Sequence, residues 1–199
     1  MNKKPTTPTK GELRIQKILE VATNMLVKKG FAGLSIRNIA SKANMQPGNL
    51  QYYFASKQDI ITAILELEFQ RYQTTLENRF NDNAYTGEQQ LKFSIKYFLK
   101  DQQKQRSCVI YWELWALAAH EPDVAQIMDT FYQIYLDKVS HLIQNINPEL
   151  TPQKATKIST LIISMIEGLS LFRGYNKPER PHLQGIEDEL QSAIIKLIL

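Results

Sequence analysis

Residues 35–57 read SIRNIASKANMQPGNLQYYFASK, and this stretch decides the fold. Ser35 can cap a short helix that turns Ile36, Ile39 and Ala40 inward. Ala43-Asn44-Met45 makes a tight turn, with Asn44 able to take the positive φ usually left to glycine. Pro47 suits the first position of a second helix, which runs to about Phe54 and carries Gln, Asn and Tyr side chains. Two short helices about a tight turn, the second one polar, are the pattern of a helix-turn-helix DNA reader.

Charge is distributed to match. Residues 1–57 hold ten basic side chains against two acids, a net of +8, while the remainder is −4 within an overall +4. A basic run is often only a solvated face, but here it flanks the reading motif, and a basic face attracts phosphate whatever the base sequence.

Upstream, Ile15, Ile18, Leu19, Ala22, Met25 and Leu26 recur at helical spacing, and Gly30 fits a left-handed helix end. Residues 1–10, rich in Lys, Thr and Pro, read as a flexible basic arm. Downstream, a long helix runs from about Ser56 towards Phe80, and NDNAYTGE (81–88) is a loop. Further helices are expected over 89–103, 107–119, 123–145, 151–174 and 186–199, with KPERPHLQG (177–185) as a linker. No period-two pattern persists, so the fold class is all-α. The domain reading is an arm at 1–10, a helix-turn-helix head at 11–56 and a larger helical body at 57–199.

Composition excludes several function classes. A single cysteine, Cys108, rules out an internal disulfide framework or a cysteine-rich zinc site. His120, His141 and His182 are isolated, so no metal site is expected, and Cys108 and His120 would lie about 18 Å apart on one helix. There is no phosphate-binding glycine loop, hence no expected enzyme activity or cofactor. The longest apolar run, LIISMI at 161–166, stops at Glu167, well short of the roughly 18 residues that span a bilayer. A soluble, cytoplasmic protein with no membrane partner is the expectation.

The residues Gly30-Phe31, Ser35, Ile39-Ala40, Leu50, Tyr52-Tyr53-Phe54 and Lys57 resemble, in type and spacing together, the tetracycline-repressor (TetR) family of bacterial transcription regulators. The body segment SCVIYWELWALAAHEPDVAQIMDTFY (107–132) is similar to BetI-type C-terminal domains, those of the choline regulators. Two positions depart from the family pattern: Asn44 stands where Gly is usual, and Gln51-Tyr52-Tyr53 replaces a Tyr-Tyr-His run. Glutamine can read adenine through paired hydrogen bonds, so Gln51 would alter the operator read.

The resemblance implies roles. Gln46, Gly48, Asn49, Gln51, Tyr52 and Tyr53 would lie at the major groove, with Leu50 and Phe54 facing inward. Ser35, Arg37 and Lys57 would meet phosphates, although Ser35 also serves simply as a cap. The partner would be a double-stranded, palindromic operator bound by a homodimer, with the interface on the helices near 151–174 and 186–199. The body would bind a small-molecule effector, apolar or cationic. Its candidate pocket residues are Phe98, Tyr111, Trp112, Glu113, Trp115, Met128, Phe131, Tyr132, Tyr135, Met165 and Glu167. An aromatic stripe at helical spacing is commonly core; together these exceed what packing needs, and effector pockets are largely apolar. A non-specific architectural DNA-binding protein is the alternative, and the aromatic body argues against it.

Overall fold

A computed structural model describes residues 8–80 and 85–199. Among the described residues nine α-helices follow one another: α1 (Lys10–Lys29), α2 (Ile36–Lys42), α3 (Pro47–Tyr53), α4 (Lys57–Phe80), α5 (Gly87–Asp101), α6 (Gln105–Ala118), α7 (Pro122–Ile146), α8 (Pro152–Arg173) and α9 (Ile186–Ile198). No strand occurs among the described residues. Residues 1–7 of the expected arm and 81–84 of the expected loop lie outside the described residues, and Lys10 already belongs to α1.

Short polar side chains set the starts of α1, α2, α4, α5 and α8. Thr9 and Glu12 form a reciprocal capping box on α1, and Thr86 with Gln89 does the same for α5. Because Thr86 is the cap, α5 begins at Gly87, two residues before the expected 89. Ser35 Oγ accepts the Asn38 amide at 3.1 Å, and Ser56 Oγ accepts that of Asp59 at 3.1 Å. Asn44 takes φ 55°, the left-handed geometry its place in the turn requires.

The chain divides into two compact units, 1–68 and 69–199, a division that falls within α4. In the first, α1, α2 and α3 pack around Ile18, Ala22, Leu26, Ile39 and Leu50, each 0 % exposed. In the second, Leu91, Ile95 and Leu99 of α5 meet Ile143, Ile158, Ile162, Ile166, Leu190, Ile194 and Ile198 from α7, α8 and α9. By length and composition α8 is apolar enough to cross a bilayer, with a mean hydropathy of 1.4. Its apolar residues are interrupted by Ser, Thr, Gly and Glu167, and in the fold Ile158, Ile162 and Ile166 lie in the core.

Candidate functional site

Each unit holds a candidate site among its described residues. In the head, α3 is a helix of seven residues, locked by Leu50 at 0 % and Phe54 at 8 % exposure. Helical phase then leaves Gln46, Gly48, Asn49, Gln51 and Tyr52 exposed and Tyr53 half-buried. Tyr52 projects furthest, 85 % exposed, with its ring edge-to-face against Tyr53 at 5.2 Å. A Cβ added at Gly48 would meet nothing within 4 Å, so no contact within the chain demands glycine there. Space is left for something to approach from outside.

The residues expected at phosphates lie on α2 and at the helix starts on either side of α3. Ser35 uses its oxygen as the α2 cap, which leaves its O–H able to donate. Arg37 is exposed. Lys57 is half-buried, with Nζ 3.4 Å from the centroid of the Phe31 ring, so the Gly-aromatic pair after α1 positions the lysine at the start of α4. One residue was missed by sequence reasoning. Arg14 of α1 lines a groove of about 340 Å³ together with Asn44, Met45, Asn49, Tyr52 and Tyr53. Only the three-dimensional placement of α1 beside α3 reveals it, since its position in the sequence is that of an ordinary solvated arginine.

In the body, a cavity of about 410 Å³ opens among α4, α5, α6, α7 and α8. Phe98, Tyr111, Phe131, Tyr135 and Glu167 line it as expected from the sequence, and so do Phe69, Tyr72 and Gln102, which were not. Rings pack in series: Tyr72 on Phe98 at 5.0 Å, Phe98 on Tyr135 at 5.1 Å, and Phe69 edge-on to Phe131 at 5.4 Å. The exposed residues Glu77, Lys138, His141 and Asn145 also border the cavity.

Six expected pocket residues do not line it. Trp112 is about 100° around α6 from Tyr111; its Nε1 donates to Ser170 Oγ at 3.4 Å, and Lys177 covers its ring. Glu113 follows on the same turn, off the cavity wall. Trp115 and Tyr132 pair with each other, Nε1 donating to the tyrosine hydroxyl at 2.8 Å. Met128 is buried in α7 away from the lining, and Met165 packs onto the α5–α8–α9 core. Residue type selected these positions, whereas helical phase decides which side chains reach the space.

Glu167 sets the electrostatics. Burial pushes its carboxyl up to about 7, against the Gln102 amide, whose hydrogen bond at 3.3 Å works to lower it. Burial and the neighbouring Glu167 likewise raise the hydroxyls of Tyr132 and Tyr135. The folded state therefore holds this proton more tightly than the unfolded chain, whose value is 4.5. Stability from this group is full below the unfolded value and declines as pH rises through the folded one. Thermal melts between pH 5 and 8 should show Glu167→Gln losing less stability than wild type across that window. Parallel curves would contradict the assignment.

Comparison with known proteins gives a consistent picture. Residues 18–64 match the family model of bacterial regulatory proteins of the tetR family, and residues 88–194 match that of the BetI-type transcriptional repressor C-terminal domain. An HTH-type transcriptional regulator from the dhlA 5' region of Xanthobacter autotrophicus is 28% identical over 170 residues, covering 84% of this chain and 83% of that one. A transcriptional regulator from Saccharomonospora viridis, solved in complex with choline, superposes with a TM-score of 0.67 at 16% identity, over 95% of this chain and 96% of that one. The multidrug binding protein EbrR complexed with malachite green superposes with a TM-score of 0.64 at 20% identity, over 94% and 98%.

Proposed function

The chain belongs to the tetR family of bacterial regulatory proteins, and from that premise we propose that it is a ligand-responsive repressor, a cytoplasmic homodimer that binds a palindromic operator and is released by a small molecule. It is a DNA-binding regulator and not an enzyme. The observation that carries the reading is the split of α3 into a buried Leu50 and an exposed row of Gln46, Asn49, Gln51 and Tyr52. A helix presented this way offers amide groups to base edges while its inner face keeps it in register.

The remaining parts fit the same reading. Gln51, Asn49 and Gln46 take the base contacts, with Tyr52 and Tyr53 beside them and Gly48 allowing close approach. Ser35, Arg37 and Lys57 take phosphates. One seven-residue helix makes few base contacts, so selective binding calls for two heads on one two-fold site. Helices α8 and α9 supply the dimer interface. The body cavity takes the effector, an apolar or cationic molecule, as the neighbours solved with choline and malachite green do. Residues Phe69, Tyr72, Gln73, Leu76 and Glu77 of α4 line that cavity, and the same helix begins at Lys57 beside Phe31. A shift of α4 on effector binding would change the spacing of the two reading helices.

Fluorescence anisotropy with DNA from the upstream region of the protein's own gene, against scrambled DNA across a salt series, tests this. A preference of roughly a thousandfold is expected for operator-bearing DNA. Gln51→Ala should lose about 1–3 kcal/mol of discrimination at one base position and leave non-specific binding alone. Lys57→Ala should weaken every sequence alike and reduce the salt slope by about 1. Equal affinity for every DNA, including DNA selected from a random pool, would instead mark a non-specific architectural protein.

A further inference from the structure

We infer that the body cavity recognises an organic cation bearing N–H donors, a protonated amine or amidine, in preference to a quaternary ammonium. This rests on the reading of the cavity as the effector site and narrows the chemistry that fits it. Three observations lead there.

The first is an uncompensated acid. Among the described residues no basic side chain pairs with Glu167; its hydrogen bond is to the neutral Gln102 amide at 3.3 Å. The other charges at the cavity, Glu77 and Lys138, are exposed and stand 4.0 Å from each other, so they offset one another. A carboxylate left in a cavity lined by Phe98, Tyr111, Phe131 and Tyr135 favours a cation, which aromatic rings also attract.

The second is an acceptor with no donor. The Gln102 carboxamide oxygen is buried and has no hydrogen-bond partner among the described residues. The third fixes its identity. Gln102 Nε2 donates both to the Ile166 carbonyl at 3.1 Å and to Glu167 Oε2 at 3.3 Å. Rotating the amide by half a turn would set its oxygen against two acceptors, so the oxygen remains the unpaired atom.

A buried acceptor left unpaired costs about 1–3 kcal/mol, and a ligand that supplies a donor recovers it. An ammonium or amidinium group has several N–H bonds and can serve the Glu167 carboxylate and the Gln102 oxygen together. A quaternary ammonium carries the same charge but no donor, so the Gln102 oxygen stays unsatisfied. Choline, the ligand in the Saccharomonospora viridis structure, is a quaternary ammonium whose only donor is its hydroxyl group.

The test compares matched probes by calorimetry on the full-length protein: phenethylammonium, its N,N,N-trimethyl analogue and neutral 2-phenylethanol. Phenethylammonium should bind roughly tenfold more tightly than the trimethyl analogue. Gln102→Leu should abolish that preference, and Glu167→Gln should remove the advantage of both cations over the alcohol. The wild-type comparison stands even where a variant folds poorly. Equal or tighter binding of the trimethyl analogue, or tightest binding of the alcohol, overturns the inference but leaves an effector site in place. If none of the three binds at millimolar concentration, the inference fails, and so does the assignment of this cavity to the effector.

Discussion

Replacing Asp101 by leucine is expected to lower the free energy of unfolding by about 3–5 kcal/mol, as breaking a buried charged cluster from one side does. Asp101 is the last residue of α5 and is 1 % exposed. An acid at a helix C-terminus opposes the helix dipole, so helix formation does not account for it. Its partners do. Arg71 Nη2 donates to Oδ2 at 3.0 Å, Lys104 Nζ to Oδ1 at 2.9 Å, and the Tyr72 hydroxyl donates to Oδ2. Arg71 also reaches Ser107 Oγ at 3.3 Å and lies 4.5 Å over the Tyr72 ring. One carboxylate thus joins α4, α5 and α6 next to Tyr72 and Gln102, which line the body cavity. Leucine would fill the volume but remove the carboxylate from the Arg71 guanidinium and the acceptor from the Tyr72 phenol.

Urea unfolding measures the loss, with an unchanged m-value showing that the native fold is retained. Lys104→Ala is the control: that side chain is 57 % exposed, and its removal should cost under about 1 kcal/mol. The pH dependence has a defined sign. Burial works to raise the Asp101 carboxyl, but the donors from Arg71, Lys104, Ser107 and Tyr72 outweigh it and hold it well below the usual carboxylate range. Its stabilisation is therefore present above the unfolded value of 3.8 and lost as pH falls below it, and the leucine variant should lack that acid limb. A loss under 1 kcal/mol for Asp101→Leu would show that the cluster does not hold the three helices together.

The contrast between this cluster and the head shows what a sequence can reveal. The head was legible because its determinants are local: Ser35, Asn44 and Pro47 act within a turn or two, and Leu50 and Phe54 are one helical turn apart. All-α architecture followed from periodicity for the same reason. The body cavity was legible only by composition. Phe131 and Tyr135 share a face of α7 and reach it, while Tyr132 is rotated off that face to meet Trp115. Asp101, Gln102 and Tyr72 carried no signal, because their partners, Lys104 apart, lie 29 to 65 residues away. Nor does a cap at Ser56 reveal that the compact units divide after Glu68, since α4 runs uninterrupted through that point.

From the proposed dimer follows the other large effect: the double variant Leu161→Glu, Leu171→Glu should be monomeric and should lose operator binding by roughly a thousandfold, down to its non-specific level. Leu161, Leu171, Phe172 and Tyr175 are 51 %, 59 %, 51 % and 38 % exposed. Leu161 and Leu171 share a stripe of α8 with the exposed Ser164 and half-buried Gly168 at helical spacing between them, Phe172 adjoins it, and Tyr175 follows just past the helix end. A Cβ at Gly168 would meet nothing within 4 Å, so this face could admit a second helix closely. Leu197 and Leu199 of the α9 end are 40 % and 80 % exposed. The inner residues of both helices already serve the core, so this outer apolar stripe has no intramolecular use and reads as an interaction surface. Two glutamates there would bring unpaired charge into the interface, which strongly opposes association, yet cost the isolated chain little because the positions are solvated. The melting curve should therefore change little after allowing for lost dimerisation, and salt-dependent binding to random DNA should persist through the unaltered head. Sedimentation velocity and anisotropy together decide the matter. A variant that remains dimeric would place the interface elsewhere, and a monomer that keeps operator affinity would show that one head suffices for specific recognition.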